Sequence, residues 1–431
     1  MAERQTLCVR KLGDNRACQT KFRRFLNNIR VKVAEIVEAV GERTASLVGG
    51  RHVLAIQDTT EVNYQSQADS KHNLGTVGNG TDIGLFLHPV LAVDADDGSC
   101  LGLVHAQIWR RKKAKAANYR ALPIEKKESH RWLVGANAAK KLLSTTAAWV
   151  TIVADRESDI YEQWVRLPNA NTHLLSRACQ DRVLADGSRL FATLDGWHEV
   201  TRYEIDLPAR PGKRSARRAT LVVRFGRVEI CRPKTCSDRT APRSVRLTAI
   251  DVREVDAPPG EEPIHWRLLT THKVKSVRKA RQVIAWYSLR WIIEQLFRTL
   301  KSQGLDVESS MLENGPALER LVMLGIVAAT KTMQLVQARD PATPAVPAER
   351  VFDQQEVAVI EALQPRLQGR TEKQRNPHQP GTLGWAAWTI ARLGGWTGYA
   401  SERPPGPITM HNGLRRFAAI VEGASLILGV T

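Results

Sequence analysis

Trp149-Val-Thr-Ile-Val-Ala-Asp155 is a short apolar stretch that runs directly into a carboxylate. A second stretch of the same kind, His52-Val-Leu-Ala-Ile-Gln-Asp58, lies earlier in the chain. Short apolar runs rich in β-branched residues are typical of buried strands. In α/β sheets, sites are commonly built at the carboxyl ends of strands. The two stretches therefore predict buried strands that each deliver an aspartate to a site.

Helices and further strands are predicted around these two runs, which indicates an α/β fold. Helical patterns cover residues 128–143 and about 159–167, and a strand is expected from His173 to Ser176. A hairpin is expected from Leu85–Val93 and Leu101–Trp109, because an Asp-Gly pair between them supplies the turn chemistry.

The character of the sequence changes twice along the chain, and this predicts three regions. Residues 1–50 are basic and show helical spacing, and residues 311–431 are mostly helical. Residues 51–310 would form the α/β core, interrupted at about 178–270 by alternating segments that predict a β-rich insertion.

The segment Tyr287-Ser-Leu-Arg-Trp-Ile-Ile-Glu-Gln-Leu-Phe-Arg-Thr-Leu-Lys301 predicts one continuous amphipathic helix. Tyr287, Arg290, Glu294 and Lys301 would share a stripe roughly 60° wide, with Arg298 beside them. Such a stripe could hold a metal ion against a phosphate. Taken alone, the stripe is more typical of the solvent-exposed face of an ordinary amphipathic helix.

Composition favours a polyanionic partner. The chain has 431 residues, a net charge of +19 and a pI near 10.0, which makes nucleic acid the expected partner. Five cations cluster within residues 210–218, where a solvated hairpin tip and a DNA-contacting loop are equally compatible with the pattern. Only Cys231 and Cys236 of the six cysteines are close in sequence, so reduced thiols are expected rather than a zinc site.

Two strand-end aspartates and one glutamate on a helix can hold two divalent cations about 3.5–4 Å apart. Mg²⁺ suits an all-oxygen, partly hydrated site of this kind. A single strand-end aspartate is more often a turn or helix cap. Asp58, Asp155 and Glu294 together, in a basic chain, favour a nuclease-type site.

The spacing Tyr287-x₂-Arg290-x₃-Glu294-x₆-Lys301, with Asp58 and Asp155, resembles the DDE transposases of the bacterial insertion sequence 4 family. The resemblance is to their Tyr-Arg-Glu-Lys subgroup, which includes hairpin-forming cut-and-paste members. The short sequence motifs that carry the resemblance are Gln57-Asp58-Thr59-Thr60, Asp155-Arg156-Glu157-Ser158-Asp159-Ile160 and Lys127-Glu128-Ser129-His130-Arg131-Trp132. The resemblance covers nearly the whole chain.

The resemblance implies an RNase H-like catalytic core with a β-rich insertion, flanked by helical regions. It implies that Asp58, Asp155 and Glu294 are the catalytic metal ligands. Phosphate contacts would come from Tyr287, Arg290 and Lys301, with Arg298 and Arg177 as further candidates. Trp266 would stack on a flipped base with Trp291 in support, since a base that leaves the stack needs such a partner. A buried strand tryptophan is the alternative for Trp266.

The resemblance further implies cut-and-paste transposition with hairpin formation and strand transfer. Two Mg²⁺ ions per site are expected, with Mn²⁺ as a substitute, and no small-molecule cofactor. The expected partners are double-stranded DNA, as transposon ends and target, and a second copy of the chain in a synaptic homodimer formed through the C-terminal region. A cytoplasmic, nucleoid-associated location in a bacterium and no membrane partner are expected, since no uninterrupted apolar run approaches 18 residues.

Residues 1–50 would form a short region that binds transposon ends. Because only 57 residues precede Asp58, end recognition is expected to be reduced. Two other hypotheses remain open on the sequence: a metal-dependent nuclease without strand transfer, and an inactive DNA-binding derivative that acts as an inhibitor.

Overall fold

The computed structural model describes residues 6–13, 15–111, 119, 122–207, 209, 214–339, 346–399 and 402–428. The chain divides into two compact units. Unit 1 comprises Met1–Gly49, Thr59–Ala114 and Trp291–Thr431, and unit 2 comprises Gly50–Asp58 and Lys115–Arg290. The predicted three-region division at residues 50 and 310 stays a prediction.

Elements are numbered in chain order across both units. Those of unit 1 are α1 (Val9–Leu12), α2 (Arg16–Asn27), α3 (Val33–Ala45), β2 (Thr60–Asn63), β3 (Gly75–Thr76), β4 (Ile83–Asp94), β5 (Cys100–Trp109), α8 (Trp291–Lys301), α9 (Gly315–Ala338), α10 (Gln354–Leu367), α11 (Leu383–Leu393) and α12 (Pro407–Leu428). Those of unit 2 are β1 (His52–Gln57), α4 (His130–Leu143), β6 (Trp149–Ala154), α5 (Tyr161–Arg166), β7 (Thr172–Arg177), α6 (Leu190–Asp195), β8 (Thr201–Leu207), β9 (Arg217–Cys231), β10 (Ser244–Val255), β11 (His265–Thr270) and α7 (Val277–Ser288).

A mixed sheet organises unit 2. Its strands β1, β6 and β7 are parallel, with His52 opposite Trp149 and Ile56 opposite Val153 in the β1–β6 pair. Strand β11 then pairs antiparallel with β7, and β10, β9 and β8 continue antiparallel from it. Residues of β1 and β6 are buried almost throughout, as expected for parallel strands covered on both faces. The α/β class predicted from the two apolar runs is confirmed.

The predicted β-rich insertion is present as the antiparallel strands β8, β9 and β10. In its basic run, Arg217 is nearly buried and pairs with Glu254 at 2.9 Å and with Glu261, while exposed Arg218 pairs with Glu204 at 2.8 Å. Arg217 therefore holds strand β9 to its neighbours. Arg210 and Lys213 of the same run lie outside the described residues.

Unit 1 contains the predicted hairpin and most of the helices. Strands β4 and β5 pair antiparallel across the turn that contains Gly98, whose φ of 73° explains the glycine. Helix α9 is long and apolar enough to cross a membrane by length and composition alone. Its most apolar window is 72% buried, however, which is typical of the core helix of a folded domain. Helices α10, α11 and α12 share one apolar core around Phe352, Trp385 and Phe417.

The prediction of one continuous helix from Tyr287 to Lys301 is wrong. Helix α7 ends at Ser288, Leu289 and Arg290 form a turn, and α8 begins at Trp291. No glycine or proline marks the break. The Ser288 hydroxyl instead donates to the Ile284 carbonyl oxygen at 3.0 Å, a back-bond that bends helices. The Arg290 amide donates to the Tyr287 carbonyl three residues back, which tightens the chain as it leaves α7.

Candidate active site

The strand register of unit 2 places the two predicted aspartates side by side. Ile56 and Val153 are paired across the parallel strands β1 and β6, and Asp58 and Asp155 stand two residues further along each strand. Neighbouring strands lie about 4.8 Å apart. The two carboxylates therefore leave the same edge of the sheet from adjacent strands.

Asp58 is held by the arginine of the helix break. Arg290 Nη1 donates to Asp58 Oδ2 at 2.8 Å, and the two side chains are 11% and 16% exposed. This ion pair is mostly removed from water, yet not sealed from it. Because the backbone turns at Leu289 and Arg290, the guanidinium is presented by a turn and not by the helix face that the sequence predicted.

Asp155 has a local role as well as its place beside Asp58. It is the N-cap of a short 3₁₀ helix, Arg156–Ser158, and its Oδ1 accepts from the Glu157 amide at 2.8 Å. Glu157 in turn accepts from Arg131 Nη2 of α4 at 2.6 Å. Burial lowers the pKa of Arg131, against the opposing effect of Glu157 and other acidic groups that include Asp155. The cap fixes the Asp155 backbone at the sheet edge.

Tyr287 and Trp266 form an aromatic wall in the same unit. Their ring centroids are 5.4 Å apart at an interplanar angle of 65°, an edge-to-face contact. Burial raises the pKa of Tyr287, while Arg290 and Arg177 act in the opposite direction and Asp155 acts with burial. Trp266 lies on β11 and is partly exposed.

Arg177 closes this group from the end of β7. Its Nη2 donates to the His265 carbonyl oxygen of β11 at 2.8 Å. That bond ties the guanidinium to the strand that carries Trp266. Unit 2 thus brings together six of the predicted site residues: Asp58, Asp155, Arg177, Trp266, Tyr287 and Arg290.

The remaining predicted residues belong to unit 1 and lie on α8. Glu294 is in its first turn and Trp291 is its first residue, and both are partly exposed. Arg298 is exposed, and Lys301 Nζ lies 3.5 Å from Glu308 Oε1. Glu308 Oε1 also accepts from the Asn63 amide at 2.9 Å, so the lysine is anchored to its own unit.

The donor chemistry of unit 2 fits a hard divalent cation. Among the residues that the structure describes, no group of three or more His, Cys, Asp and Glu side chains is arranged to hold a metal. Asp58 and Asp155 nevertheless supply two carboxylates from adjacent, register-matched strands, which is the oxygen-rich pairing that Mg²⁺ takes together with water. The Arg290 guanidinium stands where a cation would otherwise neutralise Asp58.

Sequence reasoning missed the residues that support this edge. Arg131 orders Glu157 next to Asp155, and both lie within the short motifs that carry the family resemblance, although no role was predicted for either of them. Asp159 and Arg182 form a buried pair with side chains 1% and 5% exposed. Asp159 Oδ2 also accepts from the Cys179 and Gln180 amides at 2.8 and 2.9 Å. This saturated pair clamps the segment after β6 to the segment after β7.

Comparison with known protein families gives a match over the middle of the chain. Residues 135–330 match the family model of the transposase DDE domain. That span contains Asp155, Tyr287, Arg290 and Glu294, and begins after Asp58. With the mixed sheet and its helices, the match assigns the chain the RNase H-like α/β core that the sequence predicts.

A solved structure, the cryo-EM synaptic complex of the piggyBac transposase with hairpin DNA, is similar at 10% sequence identity and a TM-score of 0.36. The similarity covers 74% of this chain and 54% of that chain, so the protein spans about half the length of this relative. Functional inference therefore rests on the DDE domain match and on the site itself.

Proposed function

We propose that this protein is a DDE transposase that catalyses cut-and-paste movement of an insertion sequence. The observation that carries the proposal is the register of β1 and β6, which brings Asp58 and Asp155 to one sheet edge within a chain whose residues 135–330 match the transposase DDE domain. The third proposed carboxylate is Glu294, and only its spacing in the sequence supports its inclusion. The net charge of +19 supports DNA as the substrate.

Asp58, Asp155 and Glu294 would hold two Mg²⁺ ions, for which Mn²⁺ can substitute. When bound, such ions supply an activated water and neutralise the charge that develops during in-line displacement at a phosphodiester. Arg290, already oriented by Asp58, would bind the phosphate next to the scissile bond through its guanidinium. The Tyr287 hydroxyl would donate to the same phosphate, because its raised pKa keeps the phenol protonated.

The proposed DNA chemistry has four successive steps. Hydrolysis of one strand leaves a free 3′-hydroxyl on the transposon end. That oxygen then bonds to phosphorus in the opposite strand and breaks its bond to the flanking 3′-oxygen, which takes up the proton. The resulting hairpin is hydrolysed, and the same 3′-hydroxyl attacks target DNA. Trp266, with Trp291 in support, would stack on the base that the hairpin expels.

Arg177, Arg298 and Lys301 are proposed as further phosphate contacts. Lys301 would exchange its contact with Glu308 for a phosphate, since the 3.5 Å separation of that pair marks a weak, half-exposed interaction. We further propose that the active assembly is a homodimer on paired ends, formed through the C-terminal helices.

The test uses the purified chain and the DNA that flanks its reading frame. We expect Mg²⁺-dependent cleavage at terminal inverted repeats, a hairpin intermediate on denaturing gels, and joining of pre-cleaved ends to a target plasmid. Cleavage without joining would replace the proposal with a nuclease. Binding of ends with neither cleavage nor joining would replace it with an inactive DNA-binding derivative.

Metal binding has a readout that does not depend on activity. Titration calorimetry with Mn²⁺ on the DNA-free chain should show binding that Asp58→Asn and Asp155→Asn each weaken. The exposed carboxylate Glu361 gives a matched control, and Glu361→Gln should bind Mn²⁺ as the unaltered chain does. Equal binding by all four proteins would remove the proposed ligands.

A further inference from the structure

A cavity opens at the opposite end of the parallel strands of unit 2. It has a volume of about 650 Å³, within the usual range for ligand sites. Its lining comprises His52, Trp149, Asn169, Ala170, His173, Thr271, His272, Lys273 and Lys279. His52 and Trp149 are the first residues of β1 and β6, whereas Asp58 and Asp155 follow the last ones. Six residues of strand separate the two ends, so the cavity lies about 20 Å from the carboxylates.

An exposed aromatic platform forms one side of the cavity. Trp149 is 45% exposed, which is unusual for so large an apolar side chain. One face of its ring stacks on His173, with centroids 5.3 Å apart and an angle of 22°. His173 stacks in turn on buried His272 at 4.0 Å. The Trp149 ring is therefore supported on one face by two stacked histidine rings, and its exposed part is accessible to a ligand.

Two histidines of the cavity, His173 and His272, add no positive charge near neutral pH. The Thr151 hydroxyl lies 2.8 Å from both His52 Nε2 and His272 Nε2, and it can donate to only one of the two rings. Burial lowers the pKa of His272 to about 2, with further lowering from His173, Lys279 and His52. Burial also lowers the pKa of His173. The rings act as neutral stacking and hydrogen-bonding groups.

Two lysines make the cavity electropositive. Among the described residues, its lining contains Lys273 and Lys279 and no carboxylate. Lys279 Nζ lies 4.4 Å from the centre of the Trp286 ring and donates to Gln282 at 2.9 Å, which fixes its position. Lys273 is exposed at the rim. The first turn of α7 contains Lys279 and no acidic residue, so the positive end of the helix dipole adds to the charge of this lysine.

We propose that this cavity binds one unpaired nucleotide of a DNA strand. Its base would stack on Trp149, and its phosphate would lie between Lys273 and Lys279. Aromatic stacking combined with lysine contacts to the backbone is how proteins hold single-stranded nucleic acid without reading its sequence. A nucleotide carries an anionic phosphate and a flat base. The described lining of the cavity offers cations and aromatic rings and no carboxylate.

The test measures binding of a fluorescein-labelled oligothymidylate to the full chain by anisotropy, in EDTA so that no strand is cut. Trp149→Leu should weaken binding about 5- to 150-fold, the range for one stacked base. Trp149→Phe should restore most of the affinity. Tyr399→Leu is the matched control, because Tyr399 is equally exposed at 47% and belongs to unit 1.

The phosphate contact is tested by the salt dependence of the same binding. Lys273→Gln should lower the slope of log affinity against log salt by about 0.7, the value for one contact to a single strand. Lys275→Gln removes the same charge two residues away from an exposed position that does not line the cavity, and should leave the slope unchanged. Equal effects of the two lysines, or no effect of Trp149→Leu, would overturn the proposal.

The proposal does not rest on the proposed transposase function, since binding in EDTA needs neither metal nor cleavage. Loss of oligothymidylate binding in Trp149→Leu with intact cleavage of duplex ends separates the two sites. Loss of cleavage in Asp58→Asn with intact oligothymidylate binding separates them in the other direction. Dependence of oligothymidylate binding on Asp58 would contradict a distinct cavity.

Discussion

The two edges of the parallel strands in unit 2 carry opposite chemistry. At one edge Asp58 and Asp155 present carboxylates with Arg290, and at the other His52 and Trp149 begin a cavity with two lysines. One register sets both, because the pairing that puts His52 opposite Trp149 also aligns Asp58 with Asp155. A slip of one residue would dismantle both sites together. A short strand pair can therefore position a different group of polar side chains at each of its ends through backbone pairing alone.

The largest expected effect is the loss of DNA cleavage when a carboxylate at the end of β1 or β6 is removed. Asp58→Asn or Asp155→Asn should reduce Mg²⁺-dependent end cleavage by about three orders of magnitude, since metal-ion catalysis contributes several kcal/mol to the barrier. Quantitative cleavage assays on labelled transposon ends measure this. Glu361→Gln should retain full activity. Retention of more than a tenth of the activity by either aspartate variant would contradict the ligand assignment.

The next effect concerns stability and distinguishes the two aspartate–arginine pairs at this edge. Asp159→Asn should lower the free energy of unfolding by about 3–5 kcal/mol, because it leaves buried Arg182 without its counter-charge. Asp58→Asn should cost much less, because the Asp58–Arg290 pair has more access to water. Urea denaturation of both variants gives the comparison. Similar losses of unfolding free energy in the two variants would mean that Asp58 stabilises the fold as much as Asp159 does.

Arg290 is expected to affect DNA and metal in opposite directions. Arg290→Gln should weaken binding to transposon ends about 10- to 150-fold, the range for a lost charge-assisted hydrogen bond. The same change removes the cation beside Asp58, so Mn²⁺ should bind more tightly. Anisotropy and calorimetry measure the two affinities. Parallel weakening of both would show that Arg290 acts only by holding the fold.

The smallest expected effect is on the pH dependence of the unfolding free energy. It arises from His272, at the end of the strands where the lysine-lined cavity lies. Since the pKa of His272 is about 2 in the folded chain, the unfolded chain takes up its proton first as pH falls below about 6.5. Its contribution to stability is therefore complete above that pH and declines by at most about 1.4 kcal/mol per pH unit below it. His272→Gln should flatten the slope of unfolding free energy between pH 6.5 and 4.5. An unchanged slope in His272→Gln would contradict this contribution of His272.

Local patterns predicted much of the fold correctly. The hairpin expected at Leu85–Val93 and Leu101–Trp109 is β4 and β5, and the helix expected at 128–143 is α4. Both depend on contacts between near neighbours in sequence. The break between α7 and α8 was not predictable in this way, because Arg290 in the turn is bound by Asp58, which is 232 residues away in sequence.

The chain by itself determined that two aspartates would end two buried strands, because a short apolar run followed by a charge can be buried only up to that charge. It also determined a strongly basic surface and the local strand and helix periods. Only the tertiary structure decided that the strands pair in parallel with Asp58 beside Asp155, that Arg290 stands in a turn, and that Trp149 opens a cavity with two lysines. The physical reason is that register and pairing partner depend on contacts between distant segments, which no local period encodes.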